Sequence, residues 1–269
     1  MKIFLKHSRL LATIAAILLL GCSSKEKLSV SKDLCFSTCN DYKGEPVELK
    51  LDVYRMEGAR AKKRPVILWV HGGGMYIGSK DASWGLVHHL AEDFVRMGYV
   101  FVSMDYRLNP EWEATAAFDA TIKDAAIDVA SAVDWIKGNA REFGGDPARI
   151  ILMGHSAGAE IISNYYYSNA LVDEAEHDKS DIKAVIPISG NRLFYDGDAN
   201  SGSGNAPCLI IHGNADDINP CADAQKLLSQ LGSKGRMAIM QGNGHMWTEN
   251  PEQKDFLMKN ISAFLKELD

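Results

Sequence analysis

The chain lacks the marks of several protein classes. Its 269 residues contain no heptad, no fixed-period repeat and no low-complexity tract, which sets aside coiled coils, repeat arrays and disordered tails. It has no excess of basic charge: 29 Lys and Arg stand against 35 Asp and Glu, a formal net charge of −6. Without a basic patch it is poorly matched to a phosphate backbone, so nucleic acid is not an expected partner. None of its eight histidines stands at metal-ligand spacing, and the adjacent His88 and His89 would point in different directions on a helix. Nor does the apolar run Leu10 to Leu20, broken only by Thr13, reach the ~20 residues that a bilayer span needs.

Cysteine is sparse, and the first of the five has a telling context. Lys2, Lys6 and Arg9 precede the Leu10–Leu20 run as a positive n-region precedes the h-region of an export signal. The run ends Leu19-Leu20-Gly21-Cys22, which looks like a bacterial lipobox. Cleavage before Cys22 would leave it as a lipidated first residue, anchoring the protein to a membrane of the bacterial cell envelope. Residues 23–46 then read as a polar tether and N-terminal segment, and 47–269 as one domain. The other cysteines are Cys35, Cys39, Cys208 and Cys221, an even count that permits disulfides in an exported protein. Cys35 and Cys39 could form a local bridge or stay as thiols. Cys208 begins a predicted strand and Cys221 follows the loop after it, so the two are expected at opposite ends of the sheet, too far apart to bridge.

At 46% hydrophobic and 24% charged residues, the chain can bury a core without staples. From residue 47 onward, strand and helix patterns alternate. Strands are predicted over Val47–Tyr54, Val66–Val70, Tyr99–Met104, Arg149–Met153, Ile182–Ile188, Cys208–Ile211 and Met237–Met240. Helices are predicted over Ala82–Met97, Ala114–Asn139, Ala157–Tyr167, Ala222–Leu231 and Pro251–Leu268. Such alternation implies a mostly parallel sheet with helices on both faces.

Gly154-His155-Ser156-Ala157-Gly158 fits G-x-S-x-G and falls between a predicted strand and a predicted helix. A serine on that tight turn is pushed out at the top of the sheet, where its Oγ can act as a nucleophile. His71-Gly72-Gly73-Gly74 follows the Val66–Val70 strand. Successive glycines let backbone N–H groups turn inward toward a developing oxyanion, so Gly73 and Gly74, joined by the N–H of Ala157, are the candidate donors. In folds built on a G-x-S-x-G elbow the acid and then the general base follow the serine along the chain, and only His245 lies beyond the candidate acids Asp216 and Asp217. Spacing leaves both aspartates open. Tyr76 and Trp247 stand beside the glycine run and the histidine and could touch substrate, as could Trp84. Nothing in the pattern calls for a cofactor or a metal.

Taken together these elements resemble the α/β-hydrolase superfamily, and within it the hormone-sensitive-lipase-like and related bacterial carboxylesterases. The resemblance runs from Leu49 to the C-terminus. It rests on Leu51-Asp52-Val53-Tyr54, His71 to Gly74, Asp105-Tyr106-Arg107-Leu108, Phe143-Gly144-Gly145-Asp146-Pro147, the Ser156 elbow, His212-Gly213 with Asp216 and Pro220, and Gly244-His245. It implies Ser156, Asp216 and His245 as catalytic triad, with Asp105 and Arg107 bracing the core of the site. It implies hydrolysis of small or glycan-linked esters. The short segment before residue 47 leaves no room for a helical cap, so the pocket is expected to be open, as in minimal esterases acting on acetyl or feruloyl groups of polysaccharides. The same triad could instead cleave an amide or peptide. A non-catalytic hydrolase-fold binding protein is the third reading, and such proteins typically lose triad members.

Overall fold

The computed structural model describes residues 27–57, 63–81, 86–168, 172, 177–190, 205–245 and 250–268. Cys22, Trp84 and Trp247 lie outside them, and so does the leader. Among the described residues eight strands form one sheet: β1 (Leu28–Asn40), β2 (Pro46–Met56), β3 (Arg64–Val70), β4 (Val100–Met104), β5 (Gly145–His155), β6 (Ile182–Ile188), β7 (Cys208–Gly213) and β8 (Gly235–Met240). Their spatial order is β1-β2-β4-β3-β5-β6-β7-β8. The first two pairings, β1 with β2 and β2 with β4, are antiparallel and all the others are parallel. This is the α/β-hydrolase fold.

The central strands are continuous apolar runs because both of their faces are covered. On one face α1 (Leu86–Arg96) and α6 (Pro251–Lys266) bring Leu90, Phe94, Leu257 and Ile261 against Ile67, Trp69, Phe101 and Ile186. On the other, α3 (Phe118–Asn139), α4 (Ala157–Tyr167) and α5 (Cys221–Leu231) bring Ile122, Val129, Ile161 and Leu227 against Leu68, Val102, Leu152 and Ile210. The long helix expected from Ala114 is broken. A short α2 (Trp112–Thr115) ends at Ala116, which takes a left-handed φ of 54°, and α3 starts two residues later. No helix of the described residues is long and apolar enough to cross a membrane.

Strand β1 was not announced by the sequence pattern. It is an edge strand with no fully buried residue, and bulges between Ser31 and Leu34 and between Cys35 and Ser37 break the period of two. Cys35 and Cys39 both lie on it, opposite Lys50 and Val47, and both are free thiols. Three partner residues along an extended strand put them roughly 10 Å apart, beyond the ~7 Å limit of a disulfide, so the local bridge does not form. Cys208 and Cys221 are also free. In β2 the alternation does not mean exposure: Asp52 is fully buried, with Lys80 Nζ at 3.3 Å and the Asp33 amide donating to it at 2.8 Å.

Candidate active site

The C-terminal ends of the parallel strands meet at Ser156. It joins β5 to α4 with φ 53° and ψ −122°, a conformation that costs a non-glycine residue of order 1–3 kcal/mol. Close packing enforces it. A Cβ at Gly158 would be driven into the Val70 carbonyl and would stand 2.6 Å from that of His71, so only glycine lets α4 approach β3. The Ser156 amide donates to the Ile188 carbonyl at 2.9 Å, tying the elbow to the end of β6.

The loop after β3 lies directly against the serine: a Cβ on Gly72 would stand 3.1 Å from that of Ser156. Gly73 and Gly74 have φ of 111° and 61°, which their lack of a side chain allows, and Met75 continues with 63°. The loop's carbonyls are held from behind. The Tyr106 hydroxyl lies 3.1 Å from the His71 oxygen and 3.3 Å from that of Gly72. Trp112 Nε1 donates to the Gly74 oxygen at 2.9 Å, and the Asn109 amide to that of Met75 at 2.9 Å. Ala157 begins α4, so its N–H is one of the helix's unpaired leading donors. Burial pushes the His71 imidazole down to about 4, against a bond from its Nδ1–H to the Gly72 carbonyl at 2.7 Å.

Asp216 and His245 meet across two loops. His245 Nδ1 lies 2.8 Å from Asp216 Oδ2, and both side chains are almost wholly buried. Asp216 Oδ1 accepts the Ile218 and Asn219 amides at 3.0 and 2.8 Å. Asp217, exposed in the same loop, has no such contact. Geometry therefore separates two aspartates that spacing could not. Burial alone would raise the Asp216 pKa, but bonds from His212, His245 and the Asn219 amide outweigh it and hold the carboxyl well below its usual range. The loops are stitched together by the Ala215 amide on the Asn243 carbonyl (2.8 Å) and the Gly242 amide on Asn214 Oδ1 (2.6 Å). The His245 ring lies 4.9 Å from that of His155, the residue before the serine.

A cavity of about 600 Å³ opens beside Ser156, lined among others by Gly74, Met75, Tyr76, Trp112, Ala157 and Ile218. Tyr76, singled out from the sequence, lines it and stacks on Trp112 at 5.2 Å. Desolvation and a bond to the Glu113 carboxylate push its hydroxyl up to about 12. Trp112 meets Phe118 edge-on at 5.1 Å, completing an aromatic wall. Asp105 and Arg107 do not pair with each other; each has its own partners. Asp105 accepts the Lys80 amide at 2.7 Å, fixing the chain beyond the glycine loop, while Arg107 pairs with Asp128 at 2.8 Å and Asp124 at 3.1 Å. Sequence reasoning missed Trp112, Phe118, Asn219 and the ring of His212. None of these carries a pattern of its own, although His212 stands inside a recognised stretch.

Known proteins resemble this chain in sequence and in fold. The family described as BD-FAE matches residues 51–201, more than half of the chain. Secreted lipase 5 of Gibberella zeae is 34% identical over 147 residues, 52% of this chain and 25% of that protein. The isoprenylcysteine alpha-carbonyl methylesterase of Arabidopsis thaliana is 26% identical over 275 residues, 82% of this chain and 60% of that one. The chain thus spans from 25% to 60% of the length of these two curated relatives. Among solved structures, butyrate-bound esterase 2 of Thermogutta terrifontis superposes with a TM-score of 0.69 at 20% identity, covering 89% of this chain and 94% of that one. At that identity the likeness speaks for the fold.

Proposed function

The chain belongs to the BD-FAE family, and from that premise we propose that it is a serine carboxylesterase for short acyl or aryl esters. The observation that carries this reading is the buried Asp216–His245 pair at 2.8 Å, set at the same end of the sheet as the strained Ser156 elbow. Ser156 Oγ attacks the ester carbonyl while His245 Nε2 takes its proton. Asp216 holds the Nδ1–H tautomer and stabilises the imidazolium. The amides of Gly73, Gly74 and Ala157 receive the oxyanion. The imidazolium then returns the proton to the departing alcohol, leaving an acyl-enzyme. Water, deprotonated by His245, releases the acid and restores Ser156. In this scheme every transferred proton passes through His245.

The aromatic wall of Tyr76, Trp112 and Phe118 suits an apolar or aromatic acyl group. Acetyl or feruloyl groups on a polysaccharide are the substrates we infer, reached by a protein anchored through Cys22 to the cell envelope. The start of β1 supports that orientation. Leu28 pairs with Met56, beyond the N-terminal end of β4, whereas Ser156 follows the C-terminal end of β5. The six residues from Cys22 to Leu28 reach at most roughly 20 Å. A lipid at Cys22 would hold the far end of the sheet toward the bilayer and turn the mouth away from it, toward polymeric or soluble esters rather than membrane lipid.

Hydrolysis of p-nitrophenyl acetate, butyrate and octanoate by the wild type and by Ser156→Ala tests the reading. We expect Ser156-dependent turnover that falls with chain length. Turnover equal in both proteins, or none on any of the three esters, would overturn it.

A further inference from the structure

A second histidine reaches the same carboxylate as His245. His212, next to last in β7, is fully buried and places its Nε2 2.8 Å from the Asn219 carbonyl and 3.3 Å from Asp216 Oδ2. A carbonyl can only accept, so Nε2 carries a proton and shares it between the two oxygens. We propose that His212 is a positioning residue of the triad, holding Asp216 in the orientation that faces His245.

The bonding around Asp216 shows what is left for His212 to do. The Ile218 and Asn219 amides fix Oδ1, but both belong to the same surface turn as the aspartate. His245 bonds Oδ2, but it stands on a loop after β8, the edge strand. His212 alone among these donors belongs to a strand paired on both sides, so it ties the carboxylate to the sheet. Its second acceptor makes the tie two-sided. Asn219 gives its amide to Asp216, its carbonyl to His212 and its side-chain Nδ2 to the Ser189 carbonyl at 2.6 Å, just past β6. Ser189 in turn bonds the Ile211 carbonyl at 2.9 Å, and the Ser156 amide bonds Ile188. A continuous set of bonds therefore runs from the nucleophile's elbow through β6 and β7 to the acid, with His212 as the link that closes on Asp216.

This inference rests on the triad reading above, and its test is built to separate the two. The readouts are ester kcat and KM per active site, and the rate at which a fluorophosphonate modifies Ser156, which reports nucleophile activation whatever the natural substrate. His212→Leu removes the donor at similar volume. His212→Gln keeps a donor at nearly the reach of Nε2, and His212→Asn places one a bond short. Leu209→Ala, elsewhere on β7, controls for lost stability. We expect His212→Leu to lower kcat and the labelling rate about ten- to a hundredfold, the scale of a hydrogen bond to a charged group, with KM within about twofold. His212→Gln should recover most of the loss, His212→Asn should not, and Leu209→Ala should melt earlier while keeping its turnover per titrated site. If His212→Leu does not fold, the difference between Gln and Asn decides. The proposal is overturned if the Leu variant keeps wild-type kcat and labelling, if Gln falls as far as Asn, or if Leu209→Ala loses turnover in parallel. Labelling without ester hydrolysis in the wild type would sink the esterase reading and leave His212 to be judged on labelling rates. No labelling at all would sink both.

Discussion

Replacing Asp216 by asparagine should cost far more than one charge. Oδ1 is held by the Ile218 and Asn219 amides, which need an acceptor, so the carboxamide oxygen of Asp216→Asn must stay there. Its NH₂ then occupies the Oδ2 position, 2.8 Å from His245 Nδ1 and 3.3 Å from His212 Nε2. Two N–H donors cannot bond each other. His245 is driven to the tautomer with its proton on Nε2, where it can no longer take the proton of Ser156. The same tautomer inversion costs about 10⁴-fold in kcat in serine proteases. At 1.36 kcal/mol per decade that is about 5.4 kcal/mol of lost transition-state stabilisation. Stopped-flow or steady-state hydrolysis of p-nitrophenyl butyrate should show that fall in kcat with KM little changed, because the pocket walls are untouched. Asp217→Asn, made on the exposed neighbour, should stay within about twofold of wild type. An Asp216→Asn enzyme within tenfold of wild type, or equal losses in the two variants, would refute the reasoning.

Three further outcomes follow from the same contacts. His71 is neutral in the folded protein and pushed down to about 4 by burial, whereas the unfolded chain protonates it near its ordinary value of 6.5. The unfolded state therefore binds the extra proton between those values. Stability should be flat above about pH 6.5, fall by about 3 kcal/mol down to pH 4, and fall again below that as Asp216, whose depressed pKa stabilises the fold at higher pH, is protonated. Urea unfolding at a series of pH values checks this, and His71→Asn should flatten the first step. Gly158→Ala should destabilise by more than about 3 kcal/mol, because its Cβ meets backbone carbonyls that cannot move aside; a thermal melt reads it. Trp112→Phe keeps the stack on Tyr76 but loses the bond to Gly74, and should lower kcat/KM by roughly fivefold, the worth of one neutral hydrogen bond.

What the sequence made legible is what repeats or is sterically forced. The buried parallel strands appear as short runs of β-branched and aromatic residues between turn signals. The elbow appears because glycine is the only residue that fits against Val70 and His71. Chain order singled out His245. Strand β1 escaped because an edge strand with two bulges loses both continuous burial and alternation. The broken helix at Ala116 escaped because no proline or glycine marks the break. Asp216 and Asp217 could not be separated by spacing, since adjacent residues in one turn differ only in which way the backbone carries them. Trp112 and His212 reach the site from residues remote in sequence from Gly74 or bonded through a turn, and such long-range pairings leave no local pattern.

The central claim is that Ser156 is the nucleophile of an ester hydrolase. The most direct test is to incubate the wild type, Ser156→Ala and His245→Gln with a fluorophosphonate, map the adduct by mass spectrometry, and follow ester hydrolysis in the same samples. The account predicts one adduct, on Ser156, formed in step with loss of hydrolysis in the wild type, no adduct in Ser156→Ala, and slow labelling in His245→Gln. Hydrolysis that survives complete modification of Ser156, or an adduct on a different residue, would contradict it.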